Sequence, residues 1–293
     1  MPIDEKGDWM ALIAISFPRG PAQLNMKLDL DESRLNEKPI LEFLRTGALY
    51  EPDVANLLVK VLNEGDVVAD VGANIGFFTV LASILVGPTG RVVAFEPSAE
   101  NVERLCANLA YNNCRNVTVI EKAVTDKVGE VEFFINSGNS GGHALWDIGQ
   151  WPGYKEENGT PARVAVPATT LDAEWERLRL PTPKVIKIDA EGADQRVLEG
   201  ASDLLALQKP RFVVAELHPF GLAKMGCSQE SLRGCIERLG YSTFGLTNVG
   251  ALPRLFPAAT LIQHPYIINL LFSTPAWVGE YWPTAAFDQR DPR

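Results

Sequence analysis

Asp70, Gly72, Asn74 and Gly76 fall at every second position of the run DVVADVGANIG (residues 66–76), and Glu96 lies further along the chain, about 20 residues beyond the turn. Val67, Val68, Ala69 and Val71 supply the short apolar run of a parallel strand covered on both faces. Gly72 lacks a Cβ and lets a ligand approach its backbone, and Asn74 is of a type that tolerates positive φ at low cost. A helix over Ile75–Val86 would then direct its free N–H groups at the ligand. A second strand, Arg91–Phe95, ends in Glu96, where a doubly wound fold places the carboxylate that binds ribose hydroxyls. Strand, turn, helix and distal carboxylate together make a nucleoside site.

The turn also selects among nucleosides. A dinucleotide fingerprint needs G-x-G-x-x-G to admit a pyrophosphate, and this chain has Gly72-x-x-x-Gly76. A carboxylate at Asp70 repels phosphates but suits the ammonium of an amino acid, which S-adenosylmethionine carries. The motif resembles that of class I S-adenosylmethionine-dependent methyltransferases. GALYEP (47–52), KIDAEGAD (187–194) and VLEGA (197–201) resemble, more narrowly, the FkbM family, over roughly residues 40–275 in the expected order. The resemblance implies that Asp70, Gly72, Asn74 and Gly76 surround the methionine moiety, that Glu96 holds the ribose diol, and that Tyr50 and Glu51 close over the cofactor. It also implies methyl transfer to a hydroxyl of a small molecule such as a polyketide, a peptide product or a glycan.

Such a transfer needs the acceptor oxygen in line with the methyl group and a base to take its proton. Asp189 and Glu191, just past the fourth parallel strand, would face the reaction crevice of an open α/β sheet. His143 follows Gly141-Gly142 on a loop, and His218 follows the fifth strand; both have a ring suited to base work near neutrality. Asp189, Glu216 and His218 sit at the carboxyl ends of neighbouring strands, a placement that could also hold Mg²⁺ or Mn²⁺, but the preferred expectation is a metal-free site. Trp146, Trp151, Tyr154, Trp277, Tyr281 and Trp282 could line an apolar or sugar-binding pocket, or equally cap the core or cover a dimer surface.

The elements that must position these groups alternate as strand and helix from Gly65 onward, the βαβ rhythm of a parallel sheet. The reading is an α/β, Rossmann-like doubly wound sheet of seven strands: 66–71, 91–96, 117–121, 184–189, 211–217, 241–246 and 266–272, the last two antiparallel. Ser98 and Ser228 are expected to cap the helices that follow them. Residues 1–63 are assigned to an N-terminal hairpin and helical lid, 64–275 to the core, and 276–293 to a C-terminal tail. Within the core, an insertion at 130–168, containing SGNSGGH and WDIGQWPGYKEENGTP, is expected to cover the substrate.

Composition narrows the function further. Of 293 residues, 46% are hydrophobic and 22% charged, ordinary for a globular chain. The net charge of −10 argues against wrapping nucleic acid, whose phosphates demand Lys and Arg. No run approaches the ~20 apolar residues of a membrane span, and Asp4, Glu5 and Asp8 give the N-terminus the wrong charge for a secretory signal; a cytoplasmic location is expected. Cys106, Cys114, Cys227 and Cys235 have no disulfide or C-x-x-C spacing, and Cys106 and Cys235 are expected to be buried on amphipathic helices. The expected partner is a small-molecule hydroxyl acceptor, with no nucleic acid or membrane and a homodimer left open. Rival functions are an NAD-dependent oxidoreductase, a nucleic-acid methyltransferase and a non-catalytic cofactor-binding protein.

Overall fold

The computed structural model describes residues 10–19, 22–31, 34, 37–136, 138–154, 159–246, 253–264 and 267–283. In chain order the elements are β1 (Met10–Arg19), β2 (Ala22–Asp31), α1 (Glu37–Arg45), α2 (Pro52–Val61), β3 (Val67–Val71), α3 (Phe77–Val86), β4 (Arg91–Phe95), α4 (Ala99–Tyr111) and β5 (Val117–Ile120). They continue with β6 (Ala123–Val124), β7 (Gly129–Ile135), β8 (Ala162–Thr169), α5 (Leu171–Leu178), β9 (Val185–Ile188), α6 (Asp194–Glu199) and β10 (Phe212–Leu217). The last are α7 (Pro219–Lys224), α8 (Gln229–Glu237), β11 (Ser242–Gly245), β12 (Arg254–Phe256), β13 (Ile268–Ser273) and α9 (Pro275–Tyr281).

The main sheet runs β12, β11, β13, β10, β9, β3, β4, β5. Strands β10 to β5 in that order pair parallel, and β13, β11 and β12 are added antiparallel. The fold is the Rossmann-like α/β sheet expected, with seven strands ending within a residue or two of their sequence bounds. It has eight strands rather than seven, because β12 extends the edge beyond β11. A three-residue strand between prolines carries no period-2 pattern from which it could be read.

The chain order reverses between β3 and β9, which places the crevice beyond their carboxyl ends. Every residue of β3 and β9 is buried, as expected where helices cover both faces. One face, with Val68, Val92, Val185 and Val214, packs on α2 and α3; the other, with Val67, Val93, Ile186 and Val213, packs on α5, α6 and α8.

Strand β2 and helices α1 and α2 join the first of these cores instead of standing above it. Met26, Leu28 and Leu30 of β2 and Val54, Leu57, Leu58 and Val61 of α2 are buried in the same cluster as α3. From this part of the chain Pro39 and Ile40 of α1 and Tyr50 and Glu51 before α2 line the crevice, so the lid is reduced to these four residues. At the other end, Val278 and Trp282 are buried and Tyr281 lies edge-on to Phe212 at 5.5 Å, so α9, most of which falls in the expected tail, closes the core. Residues 284–293 lie outside the described part.

Two local expectations need correction. Ser98 precedes α4 but its side chain does not cap it, and its backbone N–H donates to Glu96; Ser228 does cap α8, in a reciprocal pair with Ser231. Cys106 is exposed, unlike Cys235, because α4 turns Leu105 and Leu109 inward and leaves Cys106 on its outer side. Among the described residues no helix is long and apolar enough to cross a membrane.

Candidate active site

The turn after β3 is fixed by its neighbours on both sides. Gly72 and Ala73 both donate their N–H to the Phe95 carbonyl at 3.0 Å, and Asp189 N–H donates to the Val71 carbonyl at 3.1 Å. Gly72 has φ +74°, and a Cβ there would lie 1.9 Å from the Asp189 carbonyl oxygen, so glycine is required by conformation and by space. Asn74, at φ 49°, donates its N–H to Glu96 Oε2 at 2.9 Å. Ser98 N–H donates to Glu96 Oε1 at 2.9 Å. Glu96 is thus pinned at the end of β4, 4% exposed, and burial pushes its carboxyl up to about 7 against the pull of these hydrogen bonds.

Two clefts meet at this turn. The first, with about 620 Å³ of atom-free space counting its open mouth, is lined by Glu96, Asn101, Phe133, Ser140 and His143. The second, about 830 Å³, is lined by Tyr50, Glu51, Phe77, Phe78, Lys187 and Glu216. Gly72, Asn74, Gly141, Asp189 and Glu191 line both and so form the junction. Asp70, Gly76 and His218 line neither.

Asp70 is turned into the core. It is 1% exposed, accepts from Thr79 Oγ1 at 2.5 Å and lies 3.6 Å from Lys187 Nζ, its register partner on β9. The ammonium facing Asp70 is therefore the chain's own. Lys187 also donates to Asp189 Oδ2 at 3.0 Å and sits 4.8 Å above the Phe78 ring. Burial opposes its charge, but Asp189, Asp70 and Glu51 outweigh burial and hold its pKa above the ordinary value. Sequence reasoning gave Lys187 no role, although a charged residue inside the otherwise apolar strand VIKI is itself a signal.

The second cleft is acidic. Glu51, Asp189, Glu191 and Glu216 face it, with Lys187 as the basic side chain in its wall. Burial, and next Asp189, raise Glu51 to about 7; burial with the neighbouring carboxylates raises Glu191 and Glu216 well above the usual range. Glu216 Oε2 and Asn74 Oδ1 are buried without a hydrogen-bond partner. Asp189, Glu216 and His218 do not converge as a metal-holding group among the described residues.

The two histidines do not present a free base. His143 Nδ1 accepts from Asn136 N–H at 3.0 Å, and burial lowers its pKa to about 4, which leaves a neutral ring with its proton on Nε2. His218, 2% exposed, accepts from Gly221 N–H at 2.9 Å through Nδ1, and its Nε2 faces Glu191 Oε2 at 4.0 Å. Burial lowers its pKa as well. Trp146, Trp151 and Tyr154 of the insertion line neither cleft, whereas Phe133 lines the first. Trp146 is buried, donates its indole N–H to the Glu191 carbonyl at 2.7 Å and packs edge-on to His218.

The methyltransferase FkbM domain matches residues 70–243, more than half of the chain, and the chain belongs to the FkbM methyltransferase family. It is 28% identical over 169 residues to the hexuronic acid methyltransferase AglP of Haloferax volcanii, covering 57% of this chain and 62% of that protein. It is 33% identical over 177 residues to the 31-O-demethyl-FK506 methyltransferase FkbM of Streptomyces tacrolimicus, covering 54% of this chain and 67% of that protein. The match thus spans a little under two thirds of AglP. The solved methyltransferase FkbM from Methylobacillus flagellatus KT aligns at a TM-score of 0.45 and 15% identity, covering 72% of this chain and 44% of that one.

Proposed function

We propose that the chain transfers a methyl group from S-adenosylmethionine to a hydroxyl of a small molecule, a natural product, a peptide product or a glycan. The observation that carries the reading is the pairing of the two clefts at Gly72 and Asn74: one holds a pinned carboxylate at the end of β4, the other an excess of carboxylates. The relatives support the acceptor class, since one is a hexuronic acid methyltransferase and the other acts on 31-O-demethyl-FK506.

The residues present fit that cofactor. Glu96 has lone pairs left for ribose hydroxyls, and Asn101 Oδ1 and Ser140 Oγ beside it are buried without partners. Gly72 removes the Cβ that would bar the junction. The carboxyls of the second cleft, once ionised, attract a cationic amino acid and sulfonium and repel a pyrophosphate, which disfavours a nicotinamide dinucleotide. When bound, the cofactor supplies an electrophilic methyl group.

The chain's own part is to orient the acceptor and take its proton. Glu191 is the base in this reading. It stands at the junction, its carboxyl is more basic than an ordinary glutamate, and His218 Nε2 faces it. Asp189 is the weaker candidate because Lys187 neutralises it. His143, bearing its proton on Nε2, donates rather than accepts, and His218 positions Glu191.

Calorimetric titration with S-adenosylhomocysteine tests the site. Wild-type protein should bind it, and Glu96→Gln should weaken binding roughly 10- to 100-fold, as expected for hydrogen bonds to a charged group. Undiminished affinity in Glu96→Gln, or stabilisation by NADH alone, would overturn the assignment.

A further inference from the structure

Asn101 lies on α4, 1% exposed, in the wall of the cleft that holds Glu96. Its Nδ2 donates to the Ser140 carbonyl at 3.1 Å and, more weakly, toward Glu96 Oε1 at 3.4 Å. Its Oδ1 is buried with no partner, as is the Ser140 hydroxyl. Buried polar atoms are seldom left unpaired, because each carries a desolvation cost. Two of them, side by side and next to a carboxylate, await a hydroxyl-bearing ligand.

Ser140 belongs to a glycine-rich loop that otherwise bonds mainly to itself. Asn136 Oδ1 accepts from Gly138 and Asn139 N–H, Asn139 Oδ1 accepts from Gly141 N–H, and Gly142 N–H donates to the Asn139 carbonyl. Among the described residues, the hydrogen bond tying residues 138–142 to the helix beneath is the one from Asn101 to Ser140. The same loop brings Asn139 and Gly141 to the acidic cleft.

We propose that Asn101 is a latch between the two clefts: its Nδ2 holds the loop at Ser140, its Oδ1 accepts a hydroxyl of the bound nucleoside, and nucleoside occupancy thereby fixes the loop's part of the acidic cleft, where the methyl end of the donor would meet the acceptor. This rests on the methyl-donor reading above and adds an order to it, with the donor binding first and completing the acceptor site. Asn101 is a positioning residue for the acceptor and a contact for the donor. Ser140 Oγ, freed of any intramolecular bond, is the second group available to the ribose.

Hydrogen exchange read by mass spectrometry, on the full chain with and without saturating S-adenosylhomocysteine, tests the latch. In wild-type protein the ligand should slow exchange of the peptide covering 138–142 by tenfold or more. In Asn101→Ala the ligand should bind about tenfold more weakly and, at saturation, leave the loop's exchange unslowed. A merely structural Asn101 predicts the opposite pattern: a loop loosened in the free variant but still slowed by the ligand, and that result overturns the proposal. Should Asn101→Ala fail to fold, the wild type decides, because a loop whose exchange is unmoved by saturating ligand also overturns it. Absence of any calorimetric binding to wild type is a separate outcome, which removes the methyl-donor reading and the latch with it.

Discussion

Glu191 shows how a single backbone conformation can aim a base. Its φ is 51°, left-handed and costly for a residue with a Cβ, and the turn persists because its surroundings over-determine it. Trp146 donates to its carbonyl at 2.7 Å, and the next residue, Gly192 at φ +91°, abuts Gly221 so closely that a Cβ would lie 2.5 Å from Gly221 Cα. Burial, with Asp189 and Asp194 adding, holds its carboxyl well above the ordinary range, so it becomes a competent base only as pH rises. Methyl transfer to a hydroxyl compound accepted by the wild type should therefore increase with pH along a protonation limb. Glu191→Gln should lower turnover by about 10²- to 10⁴-fold, abolish that limb and leave S-adenosylhomocysteine affinity within a few-fold. Wild-type turnover in Glu191→Gln would transfer the role to Asp189.

The element that organises the site is α4, whose polar residues form a stripe along an otherwise amphipathic helix. Asn101 serves the cleft, Arg104 pairs with the buried Glu37 of α1, and Asn108 and Asn112 bind the hairpin backbone. Asn108 accepts from Asp29 N–H at 2.7 Å and donates to the Ile75 carbonyl at 2.8 Å; Asn112 bridges the amide and carbonyl of Lys27. The hairpin thus finishes its hydrogen bonding on a helix, and Asn108 also anchors Ile75, two residues before α3. Asn108→Ala should cost about 1–3 kcal/mol, because it strands a buried N–H and a buried carbonyl; an unchanged urea midpoint would refute this account. These contacts mark where the sequence was legible. Strands β3, β4, β9 and β10 could be read because covering on both faces forces a continuous apolar run, and Gly72 and Glu96 because spacing ties them to the ends of those strands. The stripe at 101, 104, 108 and 112 follows the helical period and could have been found too. What could not be read were contacts set by packing between distant segments: Lys187 beside Asp70, the histidine nitrogens taken by backbone amides, and the loop resting on Asn101.

At the scale of the whole molecule, the acidic site is a stability liability that depends on pH. Burial raises Glu51, Glu96 and Asp194 to about 7, and Glu191 and Glu216 well above their usual range. Each of these groups binds its proton more tightly in the folded chain than in the unfolded one. Their contribution to stability is therefore complete below the unfolded carboxylate values and is lost as pH rises through the folded ones. Carboxylates shifted the other way do not act in this window. Glu174 is held below its ordinary value because hydrogen bonds from Lys122, Arg177 and Thr169 outweigh its burial, and its contribution is lost only in acid. The net charge of −10 adds self-repulsion in the same direction as pH rises. The melting temperature should therefore fall between pH 5.5 and 8.5, with each of these carboxyls adding a slope of up to about 1.4 kcal/mol per pH unit between its unfolded and its folded pKa. Glu51→Gln, which keeps the shape and removes the titration, should flatten the fall above pH 6 while leaving stability at pH 5 nearly unchanged. A melting temperature that rises across this range, or a variant with the wild-type slope, would show that the cleft's carboxyls titrate as ordinary surface groups.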